Sequence, residues 1–486
     1  MQPTPAPESQ SATDSDLLQQ VWSLIDEKKG IFWDLSDRIW ETPEVNYTEF
    51  KSSQGHLDLL KKQGFRVAEG VADLPTAMMG EAGAGGPVIA ILGEYDALPG
   101  LSQQADVAQP LALEDGANGH GCGHNMLGSA ALLAATAVKD YLQANGLAGR
   151  VRYYGCPAEE GGSGKGFMVR AGLFDDVDVA ICWHPGAFNC VTDANSLACN
   201  ELNYHFSGRA AHAAATPHLG RSALDAVELM NVGINYLREH MPTSARIHYA
   251  ITDSGGFSPN VVQAKATVRY LVRTRTLPEL TELLKRVDKV AQGAALMTET
   301  TMKCNILSGD ANLIGNRVLE ELMQSHLEQL GGPGFDDADY AYAARFQETM
   351  SQEEIRSAYQ RVGCAYTPGE LLCDYVLPLD RPESSMIGST DVGSVSWVVP
   401  TVQCRSATYT IGTPGHSWQL VAQGKSSLAH KGLTQAAKLM ASTAVGLFTQ
   451  PAHIAEAKAE HARVLEGTPF VNPIPDDVQP PFPGSH

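Results

Sequence analysis

The sequence predicts an α/β fold in which a domain with a mostly parallel sheet is interrupted by a smaller inserted α+β domain. Two observations carry this reading. Short apolar runs alternate with helical patterns up to about Asn195, as strand–helix–strand units do. Between Asn195 and about Gly309 the texture changes to alternating strands with only two helical patterns, after which helical patterns return. The expected division is 15–195 and 310–486 for the larger domain and 196–309 for the insertion.

Residues 1–14 are rich in Pro, Ser and Gln and read as a mobile arm. The spacing of Leu17, Leu18, Val21, Trp22, Leu24 and Ile25 predicts a helix to about Glu41. A second helix is expected near Glu49–Gln63, stopped by Gly64. Val88–Leu92 reads as a buried strand, Gly128–Leu142 as a buried helix, and Arg150–Gly155 and Val177–Cys182 as further strands. Leu197–Ser207 and Lys265–Arg273 alternate like half-exposed strands, and Thr300–Leu307 is another. Ser222–Arg238 and Pro278–Ala294 are helical. Gly331–Asp339 is a Gly/Asp-rich loop, and Gly467–His486 has too much proline for a helix and reads as an extended strap.

The chain has 486 residues, enough for two or three domains with large cores. Lys+Arg 35 against Asp+Glu 55 gives a net charge of −20, which argues against nucleic acid, since no basic surplus exists to neutralise phosphates. It equally gives no attraction to anionic membranes, and no stretch approaches the ~20 apolar residues of a membrane span. The N-terminal segment lacks the basic and apolar regions of a secretory signal. Nine scattered cysteines without C-x-x-C pairs read as free thiols. A cytoplasmic protein is expected.

Ligand-type residues recur after apolar strands or between glycines. His120-Gly-Cys122-Gly-His124 precedes the buried helix, and its glycines let Cys122 and His124 turn toward one centre. Cys156-Pro-Ala-Glu159-Glu160-Gly-Gly and Trp183-His184-Pro185 each follow a strand, and Gly412-Thr-Pro-Gly-His416-Ser-Trp418 is a rigid loop presenting a histidine. Taken singly, each is as readily a surface turn or loop anchor. Together, thiolate, imidazole and carboxylate suit zinc, manganese or cobalt better than magnesium or calcium. A purely structural zinc site would prefer four Cys/His ligands in paired spacing, which is absent.

GEYDALPG, HGCGHN, CPAEEGG, WHP and GTPGHSW, in that order, resemble the dinuclear-metal aminoacylase/carboxypeptidase family of amidohydrolases. With Ser389–Trp397 they resemble most its branch acting on aminobenzoyl-glutamate. The resemblance runs from about residue 17 to the Pro-rich tail. It implies a catalytic α/β domain, with the insertion serving as lid and homodimer interface, and two divalent metal ions per chain. It further implies Cys122, His124, Glu160, His184 and His416 as ligands, with Cys122 standing where other branches have a bridging carboxylate. Glu159 matches the general base, and Asp96 the acid that orients a ligand. Glu94 stands where many relatives carry a histidine ligand and is left out of the set. His212, in FSGRAAHA, resembles the lid histidine that reaches a neighbouring protomer's substrate; the residues alone read as a polar cap on a turn. Asn260, in SPNVV, resembles a substrate-binding asparagine.

The implied reaction is hydrolysis of an N-acyl amino acid by metal-activated water, with Glu159 moving the proton. An aromatic acyl group joined to an acidic amino acid is expected, p-aminobenzoyl-glutamate first, with indole-acyl and other N-acyl amino acids or dipeptides as alternatives. Trp183 and Trp418, beside two of the expected ligands, are either stacking walls for an acyl ring or packing residues. No arginine in Thr300–Gly315 offers a clamp for the substrate carboxylate, and Arg273 reads as structural. Two rival readings are a non-catalytic partner of a sister subunit and a cysteine hydrolase using Cys122 with His124. The first is opposed by the full ligand set with Glu159. The second is opposed by the single glycine between the pair, which rarely gives nucleophile–base geometry.

Overall fold

A computed structural model of the chain describes residues 14–382 and 388–483; the N-terminal segment read as an arm lies, through residue 13, outside them. Its larger sheet is built from β1 (Arg66–Glu69), β2 (Met78–Ala84), β3 (Val88–Glu94), β4 (Gly149–Cys156), β5 (Val179–Gly186), β6 (Cys190–Val191) and β11 (Thr401–Ala407). The strand order is β1-β2-β4-β3-β5-β11-β6. The centre, β4-β3-β5-β11, is parallel. The outer pairings, β1 with β2, β2 with β4 and β6 with β11, are antiparallel.

Every residue of β3 is buried, which is why it reads as an unbroken apolar run: a parallel sheet is covered on both faces. The pleat sends alternate residues to two different cores. Ile89, Ile91, Val151, Tyr153, Ile181 and Trp183 join one, and Val88, Ala90, Leu92, Tyr154, Ala180 and Cys182 the other. The first face is covered by α1 (Asp14–Trp40), α3 (His124–Asn145) and α12 (Ser427–Thr449), which contact one another. Around them lie α2 (Phe50–Lys62), α7 (Arg317–Leu330) and α13 (Ala452–Val464). The second face is covered by α4 (Gly164–Arg170) and α10 (Val392–Ser396). The helices α8 (Asp337–Gln347), α9 (Gln352–Arg361) and α11 (Trp418–Gln423) flank a further core around Phe188 and Tyr359.

The smaller sheet consists of β7 (Ala198–Ser207), β8 (Arg246–Asp253), β9 (Lys265–Thr274) and β10 (Thr301–Asp310). It is antiparallel throughout, in the order β10-β7-β9-β8. Alternate residues of β9 are buried against α5 (Ala223–Leu237) and α6 (Leu277–Thr298), which gives this sheet a core of its own. The edge strand β8 is exposed at every residue except Ile247. Residues 467–483 run as the expected extended strap. Ile474 is fully buried; Asn200 of β7 donates to the Pro473 carbonyl at 2.8 Å, and Arg170 of α4 donates to those of Pro475 and Val478 at 2.6 and 2.8 Å.

Candidate metal centre

The site forms where the parallel strands end, as open α/β sheets dictate. β3 finishes at Glu94 with Asp96 two residues on, β4 opens into Glu159-Glu160, β5 carries His184, and the loop after β11 carries His416. Cys122 reaches the same edge from the loop before α3, where Gly123 takes φ 84°. Gly128 of α3 is equally constrained: a Cβ there would lie 2.4 Å from the Glu94 carbonyl oxygen, so no side chain fits between helix and strand. Ala158 and His416 hold left-handed backbones, φ 57° and 53°, which cost non-glycine residues of order 1–3 kcal/mol and cluster at functional sites. The buried Glu49 anchors the first of them, accepting the Ala158 N–H at 2.9 Å and the Thr76 hydroxyl at 2.9 Å.

Two sets of ligand atoms converge, and they share one sulfur. Cys122, His124 and His184 place ligand atoms within 4.8 Å of one another, and so do Cys122, Glu160 and His416. Cys122 Sγ lies 3.3 Å from His184 Nε2. His416 Nε2 lies 3.4 Å from Glu160 Oε2. The Nδ1 atom of His184 is committed to the Pro185 carbonyl oxygen at 2.8 Å, leaving Nε2 for the site. Asp96 Oδ1 takes His124 Nδ1 at 2.8 Å, while its Oδ2 accepts the Glu160 N–H at 2.9 Å. His124 Nε2, Glu160 Oε1 and Glu94 Oε2 are buried without a hydrogen-bond partner among the described residues. Buried polar atoms are rarely left so, and each of these residues belongs to a cluster of ligand atoms, so the donor set fits divalent cations.

A third set, Glu94, His124 and Glu159, also brings its ligand atoms within 4.8 Å of one another. Glu94 therefore does sit in the centre, although the sequence pattern sets it aside as a ligand. Its Oε2 is 3.3 Å from His124 Nε2, and its Oε1 is 2.6 Å from Lys165 Nζ. Lys165 is wholly buried and also pairs with Asp391 at 2.6 Å. Burial disfavours its charge, but the charges of Asp391 and Glu94 outweigh that and hold it protonated. Burial, then the charge of Glu94, lifts the Glu159 carboxyl well above the ordinary range. Asp96 is also buried, yet the charge and hydrogen bond of His124 hold it below the usual value. Burial, then Arg405, pushes His184 well below the usual imidazole range, keeping it a neutral donor.

Next to these clusters opens a cavity of about 700 Å³ lined by both sheets. His212 and Asn260 are not among its lining residues. They lie together on exposed loops of the smaller sheet's region, where the Ala213 N–H donates to the Asn260 carbonyl at 2.9 Å. His212 Nδ1 there accepts the Ala214 and Ala215 N–H groups at 3.2 Å. Trp183 is a packing residue: it is fully buried and donates to the Leu127 carbonyl oxygen at 3.0 Å. The pleat dictates this, because His184 and Trp183 must face opposite sides of the sheet. Trp418 packs against the core around Phe188 and lines no part of the cavity, whose aromatic walls are Phe188 and Tyr409. Four arginines line it, Arg273, Arg361, Arg381 and Arg405, all of them outside Thr300–Gly315, and among them Arg273, which the sequence pattern reads as structural.

A family model described as peptidase family M20/M25/M40 matches residues 90–446. One of the subunits of p-aminobenzoyl-glutamate hydrolase from Escherichia coli (strain K12) is 46% identical over 479 residues, 95% of this chain and 99% of that protein. An Xaa-Arg dipeptidase of Mus musculus is 28% identical over 483 residues, 96% of this chain and 97% of that protein. Among solved structures, the YXEP protein of Bacillus subtilis, described as a dinuclear metal binding peptidase from the M20 family, aligns with TM-score 0.54 and 17% identity. The alignment covers 87% of this chain and 98% of that one. With the family match spanning most of its length, this chain belongs to peptidase family M20/M25/M40.

Proposed function

We propose that this hydrolase uses two divalent ions, zinc, manganese or cobalt, to cleave the amide bond of an N-acyl amino acid, with p-aminobenzoyl-glutamate as its foremost substrate. The observation that carries the two-ion reading is the shared sulfur: Cys122 belongs to one ligand set with His124 and His184 and to another with Glu160 and His416. The substrate follows from the 46% identity to the E. coli hydrolase across nearly all of both chains.

When bound, the ions polarise the amide carbonyl and lower the pKa of water. The chain's own residues do the rest. Glu159 takes a proton from the attacking water and returns it to the leaving amine; burial, then the charge of Glu94, raises its basicity above that of an ordinary carboxylate. Asp96 fixes the ring of His124 and, through the Glu160 N–H, the turn that presents both glutamates. Lys165 offsets the charge of Glu94 beside them.

The working unit is a homodimer built through the smaller sheet, with His212 and Asn260 serving the site of the adjoining copy. The exposed edge β8, the exposed His212 and their position off the cavity of their own chain support this. A sister subunit is a second candidate partner, since the E. coli relative is itself named as one subunit of its enzyme. No helix among the described residues is long and apolar enough to cross a membrane, and nine free cysteines suit a reducing cytoplasm.

The test is release of glutamate from p-aminobenzoyl-glutamate by the purified chain, before and after dialysis against chelator, and after adding back zinc, manganese or cobalt. Close to two ions per chain and activity that vanishes and returns with them are expected. Activity indifferent to chelation overturns the proposal.

A further inference from the structure

The cavity beside the ligand clusters carries charges that the hydrolytic chemistry does not use. Two of its four arginines are committed within the chain. Arg381 donates to the Val191 carbonyl oxygen at 2.7 Å and to Asp193 at 3.0 Å, and Arg273 donates to the Ser389 hydroxyl at 2.8 Å. The other two are not. Among the described residues, Arg405 reaches only the Pro185 carbonyl oxygen, at 3.4 Å, and Arg361 has no side-chain hydrogen bond or ion pair. Two of the cavity's carboxylates are paired elsewhere, Asp193 with Arg381 and Glu201 with Arg269 at 3.5 Å, while Asp310 takes the Cys199 thiol at 3.4 Å on one oxygen. Glu159 and Glu160 belong to the ligand sets.

The positions of Arg405 and Arg361 are informative. Arg405 on β11 is directly opposite His184 on the neighbouring parallel strand, so the two residues are about 4.8 Å apart at their backbones. Arg361 ends α9 on the same wall, and both cations act electrostatically on the Tyr409 hydroxyl, which itself lies 3.4 Å from the Pro185 oxygen. A partly buried guanidinium without an anion is a site for one, and its fork matches a carboxylate with two parallel hydrogen bonds.

We propose that Arg405 and Arg361 form the clamp that selects an acidic leaving amino acid. Arg405, beside the ligand clusters, takes the carboxylate adjacent to the scissile amide, and Arg361 takes the side-chain carboxylate. This deepens the reading above and rests on it for the reaction, while naming the feature that separates this chain's substrates from dipeptides with a C-terminal arginine. The guanidinium of such a dipeptide would face Arg361 and be repelled.

The experiment compares kcat/KM for p-aminobenzoyl-glutamate and p-aminobenzoyl-alanine in the metal-loaded enzyme and its variants. In Arg361→Ala the ratio of glutamate to alanine substrate should fall fivefold or more, and Arg361→Glu should raise relative turnover of p-aminobenzoyl-arginine. Arg405→Ala should raise KM for glutamate and alanine substrates alike, with Arg405→Lys recovering part of the loss. Circular dichroism and metal content identify any variant that has not folded, for which Arg361→Gln is substituted. A glutamate-to-alanine ratio that changes less than fivefold in folded, metal-loaded Arg361 variants overturns the inference. If the wild-type chain ignores p-aminobenzoyl substrates but shows the same Arg361-dependent ratio between indole-acyl aspartate and indole-acyl alanine, the substrate reading falls and the clamp stands.

Discussion

Asp96 Oδ1 lies 2.8 Å from Nδ1 of His124, with both side chains buried. The imidazole thereby points its other nitrogen, Nε2, at the ligand cluster, and Asp96 stays ionised to hold it there. Asp96→Asn keeps the shape and removes the charge. It should weaken metal binding by about 10–100-fold with the fold intact, read by competition with a chromogenic chelator.

Glu159 and Glu160 are neighbours in sequence with different tasks. Glu159→Gln should retain metal and lose turnover by roughly 10²–10⁴-fold, the usual size of general-base catalysis. Glu160→Gln should instead lose metal, because Glu160 belongs to the Cys122–His416 set. Metal analysis beside single-turnover rates separates the two; a Glu159→Gln enzyme with more than about a tenth of the wild-type rate means another base.

His212→Ala should lower activity without displacing metal. Mixed with Glu159→Gln chains, it should regain activity as hybrid dimers form that hold one intact composite site. Absence of recovery, with subunit exchange proven by mass spectrometry, would assign His212 no role across the interface.

Among the described residues, Lys165 is the one cation paired with Asp391, and Lys165 and His124 are the partners of Glu94. Lys165→Met strands two buried carboxylates and should destabilise the fold by about 3–5 kcal/mol at neutral pH, the usual cost of breaking a buried pair. Adding Asp391→Asn should return part of that loss. Urea midpoints at constant slope measure both.

Burial, then the charge of Asp96, raises Glu49 to about 8 from an ordinary 4.5. A carboxyl raised in the folded state binds its proton more tightly there than in the unfolded chain, so stability falls as pH rises between those values. Glu49→Gln keeps an acceptor for the Ala158 N–H and lacks the titration. In metal-free protein, the stability of wild type relative to Glu49→Gln should therefore decline from about pH 4.5 to pH 8 and level off above; a flat difference would place the Glu49 carboxyl near its ordinary value.

The central strands and covering helices were legible because their apolar runs have no competing reading; Val88–Leu92 and Gly128–Leu142 fall inside observed elements. β8 was not, since an exposed edge strand leaves no apolar alternation. Nor was β11, which interrupts its apolar residues with Gln403 and Arg405 because both line the cavity. The segments that hold the five ligand-type residues were visible through glycine framing and strand ends, the family resemblance singled out the five, and the structure brings their ligand atoms together. Lys165 and Asp391, 226 positions apart, and the arginines of the cavity carry no local signature; only the three-dimensional assembly pairs them or leaves them free. Trp183 settles as the packing alternative, because adjacency to a ligand in sequence means the opposite face in a strand.

The strap of residues 467–483 has a consequence for the order in which this protein matures. Its carbonyls tie Asn200 of the smaller sheet and Arg170 of α4, and its Asn472 donates to the Gly166 carbonyl at 3.1 Å, next to Lys165. All of these partners are synthesised hundreds of residues earlier. Asn200, Arg170 and Gly166 therefore go without these hydrogen bonds during synthesis until the strap has emerged to make them.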